Sequence, residues 1–160
     1  MSDNTARLDQ LRTEAQRDGV QQLRVSAIVQ HDGKVLLLRQ PPTGDHVEGE
    51  WEIPVGTVDS EEDLYQALAR VIRASVGLDL LHVGEVLSQI DYTTSDEQKA
   101  RQLNFLVQVL EPDPIELTDH DAYTWTGLVA ETPLVTEMTR KALADYSRST
   151  ALFTRQHRPQ

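Results

Sequence analysis

The sequence predicts a single domain of the α+β class, and three observations carry that expectation. Short β-rich runs recur at residues 23–30, 34–39, 81–91 and 101–110, each bounded by turn residues. Apolar residues recur at helical spacing near the N-terminus, at 61–76 and at 136–146. No internal repeat, low-complexity tract or linker breaks the pattern, and a chain of 160 residues suits one well-buried domain.

Residues 2–18 predict an amphipathic helix, with Leu8, Leu11 and Ala15 on one face and Asp18-Gly19 as its stop. Such a helix serves as a packing element or as a dimer contact, so a homodimer is carried as one expectation. The runs LRVSAIVQ (23–30) and KVLLLR (34–39) flank His31-Asp32-Gly33, and Asp-Gly between two such runs signals a hairpin. Residues 41–49 form a loop broken by Pro41, Pro42, Gly44 and Gly49. It carries Asp45, His46 and Glu48 and reads as a solvated acidic loop or, alternatively, as the rim of a ligand site.

Residues 51–55 read as one short strand ending at Gly56. A helix is expected over 61–76, with Ser60 as N-cap, Asp63 in the first turn and Gly77 as its end. Leu64, Leu68, Val71 and Ser75 fall on one face of it. Strands follow at 81–91 and 101–110, joined by the polar stretch 93–100. The segment 104–109 does not alternate cleanly, which suggests burial on both faces. Residues 111–121 read as a loop, 123–128 as a last strand carrying Trp125, and 136–146 as a helix packing through Met138, Ala142, Leu143 and Tyr146. The organisation is thus a helical extension at 1–22, the main domain at 23–146 and a loose tail at 147–160.

Charge and composition narrow the function. With 15 basic and 26 acidic residues the formal charge is −11, which disfavours a nucleic-acid backbone or an anionic membrane as partner. The absence of cysteine removes disulfides, thiol nucleophiles and thiolate metal sites. The opening residues lack the apolar core of a signal peptide, and no run approaches the ~20 apolar residues of a membrane span. A cytoplasmic protein is expected.

The stretch from Gly49 to Leu78 carries the most specific signal. Gly56 is followed, after five intervening residues, by Glu62. Seven more residues lead to Arg70, then Ile72 stands two further on, and Gly77-Leu78 close the segment. Trp51-Glu52-Ile53-Pro54 precedes it. In this spacing the stretch resembles the Nudix box of the Nudix hydrolase family, with Trp125 and 133–140 similar to that family's C-terminal pattern. The resemblance covers roughly 23–146. It implies the Nudix fold, a mixed β-sheet sandwiched between helices, here with an extra N-terminal helix. It also implies hydrolysis of nucleoside diphosphate derivatives, with Mg²⁺ held by three glutamates of the box helix and by the backbone carbonyl before the box glycine.

This sequence departs from that pattern where the chemistry would lie. The three glutamate positions hold Val71, Ala74 and Ser75, and Val55 replaces the glycine that often precedes the box Gly. Carboxylates at i, i+3 and i+4 would share one helix face and hold Mg²⁺ through oxygen; Val, Ala and Ser cannot supply that charge. The remaining metal ligands are Glu62 and the Val55 carbonyl, so no cofactor is expected beyond weak Mg²⁺ or Mn²⁺. Ordinary Mg²⁺-dependent diphosphate hydrolysis is expected to be absent or very slow. Arg70 is expected to pair with Glu62, or alternatively to clamp a ligand anion.

Three functions follow from those departures. The first is a repurposed enzyme using loop groups: Glu62, His120, Asp121 and Glu52 are the catalytic candidates, with Glu48, Glu50, Asp59 and Asp119 beside them. A histidine among carboxylates can shuttle protons near neutral pH. The second is a ligand-binding or sensor module, with Arg39, Trp51, Arg70, Val71, Ala74 and Ser75 against a phosphorylated or diphosphate small molecule. Tyr65, Tyr92, Tyr123 and Trp125 are further rings that could stack, although both tryptophans also suit the core. The third is a cryptic phosphoanhydride hydrolase with a relocated metal site.

Overall fold

The computed structural model describes residues 3–42, 49–127 and 135–156. Its organising strand is β1 (Gln22–His31), which pairs on both edges and with three partners. A hairpin joins it to β2 (Lys34–Arg39). The two-residue turn places Asp32 and Gly33 both at positive φ (51° and 75°), as the Asp-Gly signal predicts. On its other edge β1 runs parallel to β6 (Lys99–Val109) in register from Gln22–Ala100 to Val29–Val107. A long edge strand β5 (Leu80–Thr93) joins β6 antiparallel, with three register shifts along it.

The stretch 51–57 forms two strands instead of one. β3 (Trp51–Glu52) pairs with β2, and β4 (Val55–Thr57) pairs with β1. The break falls at Ile53-Pro54, where Ile53 is buried and Pro54 has no N–H to give a ladder. β7 (Ala122–Thr126) completes the sheet along β2.

Helices cover both faces. α1 (Asp3–Arg17) and α2 (Leu64–Val76) lie on one side, where Leu8 and Leu11 join Leu64, Leu68, Val71 and Ile72 over Val25, Val29, Leu103 and Phe105. α3 (Glu137–Gln156) lies on the other, packing Ala142, Leu143 and Tyr146 on Ile28, Val35, Leu37 and Ile53. This is the expected α+β sandwich. β6 is buried on both faces over most of its length, as its lack of alternation suggested.

Two boundaries move. α2 starts at Leu64, not near Glu61, and its N-cap is Asp63 in place of Ser60. The reason is a capping box: Asp63 Oδ1 accepts from the Gln66 amide (2.7 Å), and Gln66 Oε1 accepts from the Asp63 amide (3.0 Å). α3 continues to Gln156, so the tail expected from 147 is helical over most of its length. Asp45, His46 and Glu48 lie outside the described residues. Among those described, no helix is long and apolar enough to cross a membrane.

Candidate functional site

The box turn is built by two arginines from two helices. Arg70, from α2, donates through Nε to Glu62 Oε2 (2.7 Å) and through Nη2 to Glu62 Oε1 (2.8 Å) and to the Thr57 carbonyl (2.7 Å). The Glu62 amide donates to the Asp59 carbonyl and Glu62 Oε1 accepts from the Asp59 amide, which closes the turn. Arg12, from α1, donates to the Ser60 carbonyl at its outer side. The bidentate Arg70 contact holds the Glu62 carboxyl down at about 2, against its partial burial. Arg70 therefore makes the expected pair with Glu62.

The three substituted helix positions do not form one exposed face. Val71, expected among the ligand contacts, is 3% exposed and packs in the core. Its Cγ2 sits so close to β4 that a Cβ added to Gly56 would meet it at 2.6 Å. Ala74 is exposed and Ser75 half-buried. The helix turns Val71 inward because residues 64, 67, 68, 71 and 72 recur at core spacing.

A second group gathers where β2, β3 and the loop before β7 meet. His120 Nε2 lies 2.9 Å from Glu52 Oε2, with both side chains largely buried. A carboxylate only accepts, so Nε2 carries the proton of this contact. The other ring nitrogen, Nδ1, is buried without a hydrogen-bond partner. Next to this pair, Arg39 Nε donates to Asp121 Oδ1 (2.7 Å), and the Arg39 guanidinium stands over the Trp51 ring at 5.7 Å. Three scattered segments thus bring together Arg39, Trp51, Glu52, His120 and Asp121, while Glu62 and Arg70 form the separate box turn.

A third group escaped sequence reasoning. Gly56 faces Val71, so its neighbour Val55 and the Val55 partner Ser26 face away from α2. There a polar row crosses the sheet: Ser26 Oγ donates to Asn104 Oδ1, Gln102 Nε2 donates to the same oxygen (2.9 Å), and Asn104 Nδ2 donates to Ser88 Oγ (2.8 Å). Ser26, Gln102 and Asn104 are buried. Arg24, paired in register with Gln102 and Thr57, keeps a buried Nε without a partner. The available signal was Arg24 and Ser26, and Gln102 and Asn104, alternating within otherwise apolar strands.

The Mg²⁺ that the resemblance implies finds no fitting ligand set here. Both oxygens of Glu62 are occupied by Arg70, and positions 71, 74 and 75 offer no carboxylate. Among the described residues, no three His, Cys, Asp or Glu side chains group closely enough to hold a metal ion.

Comparison with known proteins agrees with this geometry. The CTP pyrophosphohydrolase of Escherichia coli K12 is 39% identical over 64 residues, a match spanning 40% of this chain and 46% of that protein. The solution structure of the E. coli ORF135 protein superposes with a TM-score of 0.66 at 25% identity, covering 86% of this chain and 93% of the other. The Nudix domain of Shewanella oneidensis NrtR complexed with ADP-ribose superposes with a TM-score of 0.62 at 17% identity, covering 86% and 97%. The NUDIX domain model itself matches residues 20–138. With fold, box spacing and domain match in agreement, the chain belongs to the Nudix family as a hydrolase-like member.

Proposed function

We propose that this Nudix domain binds a phosphorylated, nucleotide-like small molecule and does not hydrolyse it by the Mg²⁺ route of the box. The observation behind this reading is the state of Glu62. It is the last carboxylate of the box pattern in place, and Arg70 takes both of its oxygens. An ion pair of this kind supports a turn, and a single carboxylate neutralised by a guanidinium is a poor ligand set for Mg²⁺. The ligand side is assigned to Arg24, whose buried Nε still has a bond to give, beside the mutually bonded polar row of Ser26, Gln102 and Asn104. The ADP-ribose held by the NrtR Nudix domain is a ligand of the same chemical kind.

The test pairs binding with turnover. Purified protein is titrated calorimetrically with ADP-ribose and CTP, and the same compounds are assayed for hydrolysis with Mg²⁺ and Mn²⁺. The expected result is saturable binding that weakens in Arg24→Ala or Asn104→Ala, with no turnover above background. Metal-dependent hydrolysis at ordinary rates that vanishes in Glu62→Gln would instead establish a relocated metal site.

A second reading rests on a different observation, the buried and unpartnered His120 Nδ1 on a ring oriented by Glu52. That arrangement suits a general base, so a metal-free enzyme is the alternative. It requires turnover insensitive to chelators and lost in both His120→Gln and Glu52→Gln.

A further inference from the structure

Between α1, the start of α2 and β5 lies a groove of about 430 Å³ that plays no part in the box turn, the polar row or the His120 group. We propose that it is a second ligand site, for a small organic ammonium ion with an apolar body. Its size is that of a small-molecule site, which commonly runs about 300–1,000 Å³. Leu8 and Val83, both buried, form its apolar floor. Tyr65 and Leu81 stand at its mouth, 42% and 54% exposed. Only four large hydrophobic residues are exposed among those described, and two of them meet here. An apolar body laid between them removes that surface from water.

The charge at the groove has one sign. Asp9 from α1 and Asp63 at the N-cap of α2 both line it, and no lysine or arginine does among the described residues. His82 offers a further polar group on the rim. Asp9 and the oxygen of Asp63 that is not taken up by the Gln66 amide suit a cationic head better than an anion, so the site is unsuited to the phosphorylated ligand proposed for Arg24 and the polar row. One wall comes from α1, which precedes the segment matched by the domain model, so the groove is a property of this chain's extension.

The test uses the full chain and three probes of one shape: phenethylammonium, phenethyl alcohol and hydrocinnamate. Amide shifts are followed by NMR during each titration. The ammonium ion is expected to give saturable shifts at Asp9, Tyr65, Leu81 and Val83, with the alcohol about tenfold weaker for loss of two ion pairs and the carboxylate weaker still. Asp9→Asn and Asp63→Asn should each weaken the ammonium ion by about threefold, the second without loss of the cap because Asn caps as well as Asp. Leu81→Ser should weaken ammonium and alcohol alike. Equal binding of ammonium and alcohol, shifts confined to other residues, or a second copy filling the groove in sedimentation would each overturn the proposal. ADP-ribose binding is read separately at Arg24 and Asn104, so failure here leaves that reading to its own test.

Discussion

Glu62 shows how one side chain can keep a family's geometry while giving up its chemistry. Its carboxyl is held at about 2, chiefly by the hydrogen bonds from Arg70. A depressed carboxyl adds stability above its unfolded value and loses it as pH falls through the folded value. The contribution should therefore be full at neutral pH and fade between about pH 5 and about pH 2. Glu62→Gln is expected to cost about 1 kcal/mol at neutral pH, discounted because Arg70 is half exposed, and the gap from the parent should close on acidification. Urea unfolding of both proteins across that range measures it. Gly56 invites a second prediction. Gly56→Ala drives a methyl into Val71 and should destabilise by about 1–3 kcal/mol, while Val71→Ala in the same chain recovers part of the loss. Thermal melts of the two single variants and the double variant decide it. At this scale the sequence disclosed what is local. The eight-residue step from Glu62 to Arg70 was readable as a pair, whereas Asp63 capping in place of Ser60 was not, since both residues are good caps and only Gln66 decides between them. The Ser26–Asn104 contact was illegible because it needs the register of two strands remote in sequence.

At the scale of elements, α1 and α2 act on one turn from opposite sides. α1 packs Leu8, Leu11 and Ala15 against the domain and sends Arg12 to the Ser60 carbonyl. Its far end is tied down as well: Arg101, almost fully buried, donates to Asp91 (2.7 Å) and Asp18 (3.0 Å), and Lys99 donates to the Asp18 carbonyl (2.6 Å). Arg12→Ala should leave global stability within about 0.5–1 kcal/mol yet raise amide exchange at Glu62 several-fold, with Arg12→Lys intermediate. Exchange rates by NMR distinguish this from a general loosening, which would raise α1 and α2 together. α2 carries a prediction of its own. Restoring glutamate at positions 71, 74 and 75 forces one carboxylate into the core beside Gly56. The triple variant should lose about 3 kcal/mol or more without metal and regain part of it when Mg²⁺ is added, a linkage that calorimetry can follow. The helix itself was legible from its periodicity and from Gly77, which takes positive φ at its end. The inward turn of Val71 was not, because family spacing suggested a functional face while the apolar spacing suggested core, and burial decided for the core.

For the whole molecule, the glycines and the box spacing announced the sandwich, and both of its apolar layers are present. What the sequence could not announce is where distant groups meet, since His120 and Glu52, or Arg39 and Asp121, are joined only by strand order. That order has a consequence during synthesis. Ser26 in β1 and Asn104 in β6 are 78 positions apart, and their strands run parallel, which no hairpin can deliver. At about 5–20 residues per second, β1 leaves the ribosome roughly 4–16 seconds before its partner exists. Through that interval β2, β4 and α2 are already made and can cover its apolar residues, but the edge that takes β6 stays open to any passing strand. The nascent first half is thus the stretch on which a chaperone would act, and its release is timed by the arrival of β6.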